Sequence, residues 1–162
     1  MFWLLGLVAC TEPSLDVAPN VDLARFQGKW FEIAHLPRVT ETDCVGTTAF
    51  YSMGSADELS MVNECHVGGA SGQLRSVTAM AKVPDLSVPA KLSLNFGHRF
   101  GDYWIIDVGD HYEYAVVGHP TRQYLWILSR TAVMPSEVLA GVLERAKAKK
   151  FDVAALRYTP QP

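Results

Sequence analysis

Few residues in this 162-residue sequence are spaced for catalysis. Cys44 and Cys65 could each supply a thiolate, the form of sulfur that attacks carbonyls and binds metals. They lie on either side of "GSADE", a hairpin-turn signal flanked by "VGTTAFYSM" and "LSMVNECHV". Folding the chain near Gly54–Ser55 brings residue 44 opposite residue 65 to within a few positions. The apolar N-terminus looks like a secretion signal, and in an exported chain such a pair reads as a disulfide. A bridge would deprive any cysteine chemistry of its nucleophile. The five histidines, His35, His66, His98, His111 and His119, form no His-x3-His pair and no Cys/His cluster at metal-ligand spacing. "GGASG" lacks the Lys and the flanking helix of a phosphate loop, and Ser129 does not sit in a nucleophile elbow. No catalytic residue, metal or cofactor is therefore assigned. One charge remains odd. In "QYLWILSRT" a period of two puts Arg130 on the same face as Tyr124, Trp126 and Leu128.

The elements that must carry these residues are short and numerous. Strand patterns recur near 28–36, 45–53, 58–66, 74–83, 90–97, 102–108, 111–118 and 123–131. Gly, Pro and Asp punctuate the turns, as in "PDLSVP", "GHRFGD" and "GHPTR". The fold class is all-β, a sandwich or a closed barrel. One amphipathic helix, "PSEVLAGVLERAKAKK", follows the last long strand, with Glu137 near its start and lysines near its end, as the helix dipole favours. "ALRYT" suggests a short final strand. Alternation groups Leu92, Leu94 and Phe96 on one face, Ala49, Tyr51 and Met53 on another, and Tyr112, Tyr114 and Val116 on a third. Eight strands closed on themselves leave an interior that side chains fill or that holds one small ligand. Apolar residues make up 49% and the net charge is −3, with no basic run, which speaks against nucleic acid as a partner.

The first residues differ from the rest. "MFWLLGLVAC" is too short to span a bilayer and reads as the hydrophobic region of a secretion signal. "LVAC" resembles the lipobox of bacterial lipoproteins, in which the small Ala9 admits the signal peptidase and the Cys10 sulfur accepts the lipid. Residues 1–9 are thus expected to be a signal peptide, 10–20 a polar Pro-containing tether, and 21–162 the folded domain.

Gly28-Lys29-Trp30 opens the first strand and Arg130 closes the last. With "GKWFEIAHLPRVTETDCV", "YWIID", "YAVVGHPTRQYLWILSRT", the helix and the lipobox, the sequence resembles the lipocalin family. More narrowly it resembles bacterial outer-membrane lipocalin lipoproteins, from Val21 to the end. The resemblance implies an eight-stranded up-and-down antiparallel β-barrel with the C-terminal α-helix packed outside. It implies that Trp30 lies inside the closed end with Arg130 across it, and that Gly28 permits the close approach; such a contact gains about 0.5–2 kcal/mol. His111 stands where the family has an Asp, and no role is carried onto Asp110. With Trp30 and Arg130 inward, Glu32 and Ala34 follow Trp30, and Tyr124, Trp126 and Leu128 follow Arg130. An inward carboxylate needs a donor, so Glu32 should meet Tyr112, Arg130 or a ligand.

The resemblance further implies a lipid-binding protein, held at the bacterial outer membrane by a lipidated Cys10 and facing the periplasm. Its ligand would be a single-chain amphiphile such as a fatty acid or lysophospholipid. The expected lining is Ala34, Tyr51, Met61, Leu92, Leu94, Phe96, Tyr103, Tyr114, Tyr124 and Trp126. Two alternatives stay open: a lipid-modifying enzyme on the same barrel, which needs a reactive group in the pocket and for which Cys44 and Cys65 are the obvious candidates, and a ligand-free envelope interaction protein with a filled barrel. A homodimer also stays open.

Overall fold

The computed structural model describes residues 14–37, 43–95 and 100–162. A one-turn helix α1 (Leu23–Phe26) leads into β1 (Gly28–His35). Next come β2 (Cys44–Ser55), β3 (Glu58–Val67), β4 (Gln73–Lys82), β5 (Lys91–Asn95) and β6 (Phe100–Val108). β7 (Tyr114–Gly118) and β8 (Leu125–Ser129) precede helix α2 (Ser136–Ala148), and a short β9 (Arg157–Tyr158) follows it. Each of β2 to β7 pairs antiparallel with its successor, and β8 returns to β1. β1 also pairs with β2, from Gly28↔Tyr51 to Phe31↔Thr48, which closes the barrel of eight strands. All these ladders join strands adjacent in sequence or the first strand to the last, so hairpin turns suffice to build the wall.

Two apolar layers hold the fold. One fills the barrel and includes Phe26, Trp30, Tyr51, Leu59, Leu92, Leu94, Ile105, Val117 and Leu128. The other lies outside the wall, where Ala34, Ile106, Val116, Leu125 and Ile127 pack with Val142 and Ala146 of α2 and with Phe151. β7 and β8 are therefore buried on both faces, and alternation cannot say which face is inner.

This corrects three expectations. Tyr114 and Val116 belong to the outer layer, while Ala115 and Val117 point into the barrel. Ala34 also lies outside, because a register shift between Glu32 and Ala34 flips the faces midway along β1. Residues 14–20 are not a free tether. Leu15 and Ala18 are buried, one in each layer, and the Ala18 amide donates to the Ile105 carbonyl at 2.9 Å. Apolar side chains three residues apart found core to fill. The expected signal peptide and Cys10 lie outside the described residues, as does Phe96.

Candidate functional site

The closed end is built by backbone as much as by side chains. The Arg130 guanidinium carbon lies 3.7 Å from the centroid of the Trp30 ring. Its Nη1 donates to the Lys29 carbonyl at 2.9 Å, its Nη2 to Arg25 at 2.8 Å and its Nε to Tyr112 at 3.3 Å. The Trp30 Nε1 donates to the Phe26 carbonyl at 2.8 Å. Gly28 has φ +93°, and a Cβ there would stand 3.4 Å from Arg130 Nη1. A planar fork that donates to carbonyls of α1 and β1, and to the turn before β7, ties three segments of sequence together. Burial lowers the Arg130 pKa. Nothing in this arrangement presents a reactive atom, and Arg130 serves architecture.

The other half of the barrel holds a cavity of about 360 Å³. Its apolar lining comes from Ala49, Met61, Val77, Trp126 and Leu128, with Tyr103 alongside. Tyr103 packs against Trp126 with ring centroids 5.3 Å apart, and its hydroxyl lies 2.6 Å from that of Tyr51. Burial, then the neighbouring Tyr103, pushes the Tyr51 pKa well above the ordinary tyrosine value, so this phenol stays neutral at physiological pH. The remaining lining is polar. Arg75, Arg157, His35, Asp43 and Glu64 contribute, as do Asn63, Thr47 and Thr48. The lining is thus part apolar and part charged.

Of the nine expected lining residues that are described, three line the cavity: Met61, Tyr103 and Trp126. Tyr51, Leu92 and Leu94 are inside the barrel but fully packed in its core, so they close off the space beneath. Tyr124 precedes β8 and stays 38% exposed, stacked on Trp126 at 6.2 Å with ring planes 10° apart. Tyr114 is on the far side of the wall, where its hydroxyl accepts from Arg145 at 2.8 Å. Ala34 is under the helix.

Glu32 is buried, 6% exposed, and lines the cavity. Its carboxylate accepts from the Thr159 hydroxyl at 2.6 Å and lies 2.9 Å from His35 Nδ1. The expected donors are engaged elsewhere: Tyr112 Oη accepts from the Asp22 amide, and Arg130 binds the closed end. His35, Arg75 and Arg157 were missed as lining residues. For Arg75 a signal existed, since alternation places it on the face of Val77, Ala79 and Ala81. For Arg157 to Pro160 there was none.

Cys44 and Cys65 are joined by a disulfide that ties the upper ends of β2 and β3, as expected, and both line the cavity. Neither sulfur is a free thiol, so neither cysteine is available as a nucleophile in this state. Among the described residues no group of three His, Cys, Asp or Glu side chains could hold a metal ion.

The profile of the lipocalin-like domain family matches residues 21–161. The chain belongs to the lipocalin family. Outer membrane lipoprotein Blc of Escherichia coli K12 is 32% identical over 161 residues, spanning 96% of this chain and 90% of that protein. Temperature-induced lipocalin-1 of Arabidopsis thaliana is 32% identical over 156 residues, spanning 91% of this chain and 83% of that one. Among solved structures, insecticyanin from the tobacco hornworm Manduca sexta superposes with a TM-score of 0.71 at 24% identity, covering 91% of this chain and 84% of its own. The agreement in fold extends to the closed eight-stranded barrel and the helix that packs on this lipocalin's wall. Membership in the family supports binding of a small hydrophobic ligand, and the family's homologues are generally binding and transport proteins.

Proposed function

We propose that this lipocalin binds a single-chain amphiphile, a fatty acid or a lysophospholipid, with its acyl chain against Met61 and Trp126 and its polar head at the charged rim. The observation that carries the reading is the composition of the cavity. Apolar side chains line one part, and Arg75, Arg157, His35, Asp43 and Glu64 line another. A charged or zwitterionic head matches the charged part of that lining and an acyl chain matches the apolar part, whereas a purely apolar ligand matches only one of them. Burying each methylene contributes about 0.8 kcal/mol, offset by the ordering of chain and ligand. The test is organic extraction of the purified, detergent-free protein followed by mass spectrometry. Stoichiometric single-chain lipid is expected, and none after purification at native abundance, with no Trp126 response to added palmitate, would overturn the reading.

We further propose attachment to a bacterial outer membrane through a lipidated Cys10. The support is the "LVAC" sequence and the likeness to an outer membrane lipoprotein. Labelling with radioactive palmitate in a bacterial host should mark the wild type and not Cys10→Ser. Equal labelling of both would reject the anchor.

A further inference from the structure

The barrel wall has a seam. β1 and β2 pair only from Gly28 to Phe31, and among the described residues no β1–β2 ladder continues above Phe31↔Thr48. Both strands are irregular at that level, with register shifts between Glu32 and Ala34 in β1 and between Val45 and Thr48 in β2. A segment from the far end of the sequence fills the gap. β9 pairs with β1 at Ala34↔Tyr158 and His35↔Arg157. The Thr159 amide donates to the Ile33 carbonyl at 3.0 Å, and on the other side the Gly46 amide donates to the Pro160 carbonyl at 2.7 Å. Gln161 Nε2 bridges both strands, donating to the Glu32 carbonyl at 2.8 Å and the Thr47 carbonyl at 3.1 Å.

This strap is also cavity wall, because Arg157, Tyr158, Thr159 and Pro160 all line the space. It is fastened by hydrogen bonds rather than by apolar burial. Tyr158, its largest side chain, is 55% exposed, and its buried anchor is the Thr159 hydroxyl on the Glu32 carboxylate. Segments held by few buried apolar contacts open at lower free energy than the elements they rest on.

We propose that the strap Arg157–Gln161 undocks from the seam without unfolding of the barrel, and that its docking is coupled to occupancy of the cavity. The inference rests on the amphiphile reading above. A ligand that touches the docked strap binds the docked state more tightly, and linkage then requires that it hold the strap in place. Strap docking in turn slows release.

The amides of Gly46 and Thr159 report the two sides of the seam, and amide hydrogen exchange of the full chain reads both. Without ligand they should exchange faster than amides at the centre of β3. With saturating palmitate they should slow by about tenfold, while Trp126 fluorescence reports occupancy independently. Thr159→Val combined with Gln161→Ala should speed palmitate release by a similar factor in stopped-flow fluorescence. A Trp126 response with unchanged exchange at Gly46 and Thr159 overturns this inference alone. Exchange at the two amides as slow as in β3 overturns it as well. No Trp126 response to palmitate overturns the binding reading and this inference with it.

Discussion

The hydroxyls of Tyr51 and Tyr103 meet at 2.6 Å inside the barrel, one from β2 and the other from β6. Tyr51 is 1% exposed and Tyr103 borders the cavity, so the pair marks where open space gives way to packed core. A hydroxyl as deeply buried as that of Tyr51 has few alternatives to its partner.

Removing the Tyr103 hydroxyl alone should therefore cost more than removing both. Tyr103→Phe leaves the Tyr51 hydroxyl without this bond and should lose about 1–3 kcal/mol, whereas Tyr51→Phe with Tyr103→Phe should lose less than Tyr103→Phe alone. Urea unfolding of the four proteins closes the cycle. Additive losses would show that water or another group replaces the partner.

The same pair sets an alkaline limit. Burial, and then Tyr103, raises the Tyr51 pKa well above 10.0. Above that value the unfolded chain releases a proton that the folded chain retains, so unfolding becomes more favourable as pH rises. This stability is fully present below pH about 10, the unfolded tyrosine value, and is lost progressively as pH climbs toward the folded pKa. Melting temperature between pH 9 and 11.5 should fall more steeply for wild type than for Tyr51→Phe.

Arg130→Ala should destabilise the fold and spare the cavity. It removes a cation–π contact of about 0.5–2 kcal/mol and the donors to three backbone carbonyls. Arg130→Lys should restore little, since an ammonium lacks the planar fork. Melting temperature should drop in both variants while palmitate affinity, measured well below the melt, stays within about twofold, a change of only ~0.4 kcal/mol.

Chain length should reveal the size of the cavity. Affinity for saturated fatty acids should rise by about 0.8 kcal/mol per methylene at most, then level off once the space above Tyr103 is filled. Met61→Trp puts a larger ring into the space and should shorten the optimal chain. Ala34→Trp should instead disturb packing of α2, because Ala34 is 0% exposed in the outer layer. Calorimetric titration across the series separates these outcomes from surface adsorption, which would show no plateau.

Reduction of the Cys44–Cys65 bond should cost roughly 3 kcal/mol, the value for a closed loop of about 20 residues in the chain-entropy model. Cys44→Ala with Cys65→Ala measures it in guanidinium. The variant should still fold, since the β2–β3 ladder continues beyond the bridge down to Ser55↔Glu58.

The sequence by itself determined the succession of eight strands and a helix, because turn residues and short apolar runs act locally. It determined the Trp30–Arg130 pair through a resemblance carried by spaced motifs, and the cysteine bridge through the hairpin between them. What only the tertiary structure decided is which side of the wall each residue faces. α2 covers β7 and β8, so Tyr114 and Val116 needed apolar company outside as much as Ala115 and Val117 did inside. The shift between Glu32 and Ala34 reverses the rest of β1, and no local preference announces it. Thr159 reaches Glu32 across 127 positions of sequence, a contact that exists only because β1 and β2 part company and the strap fills the space between them.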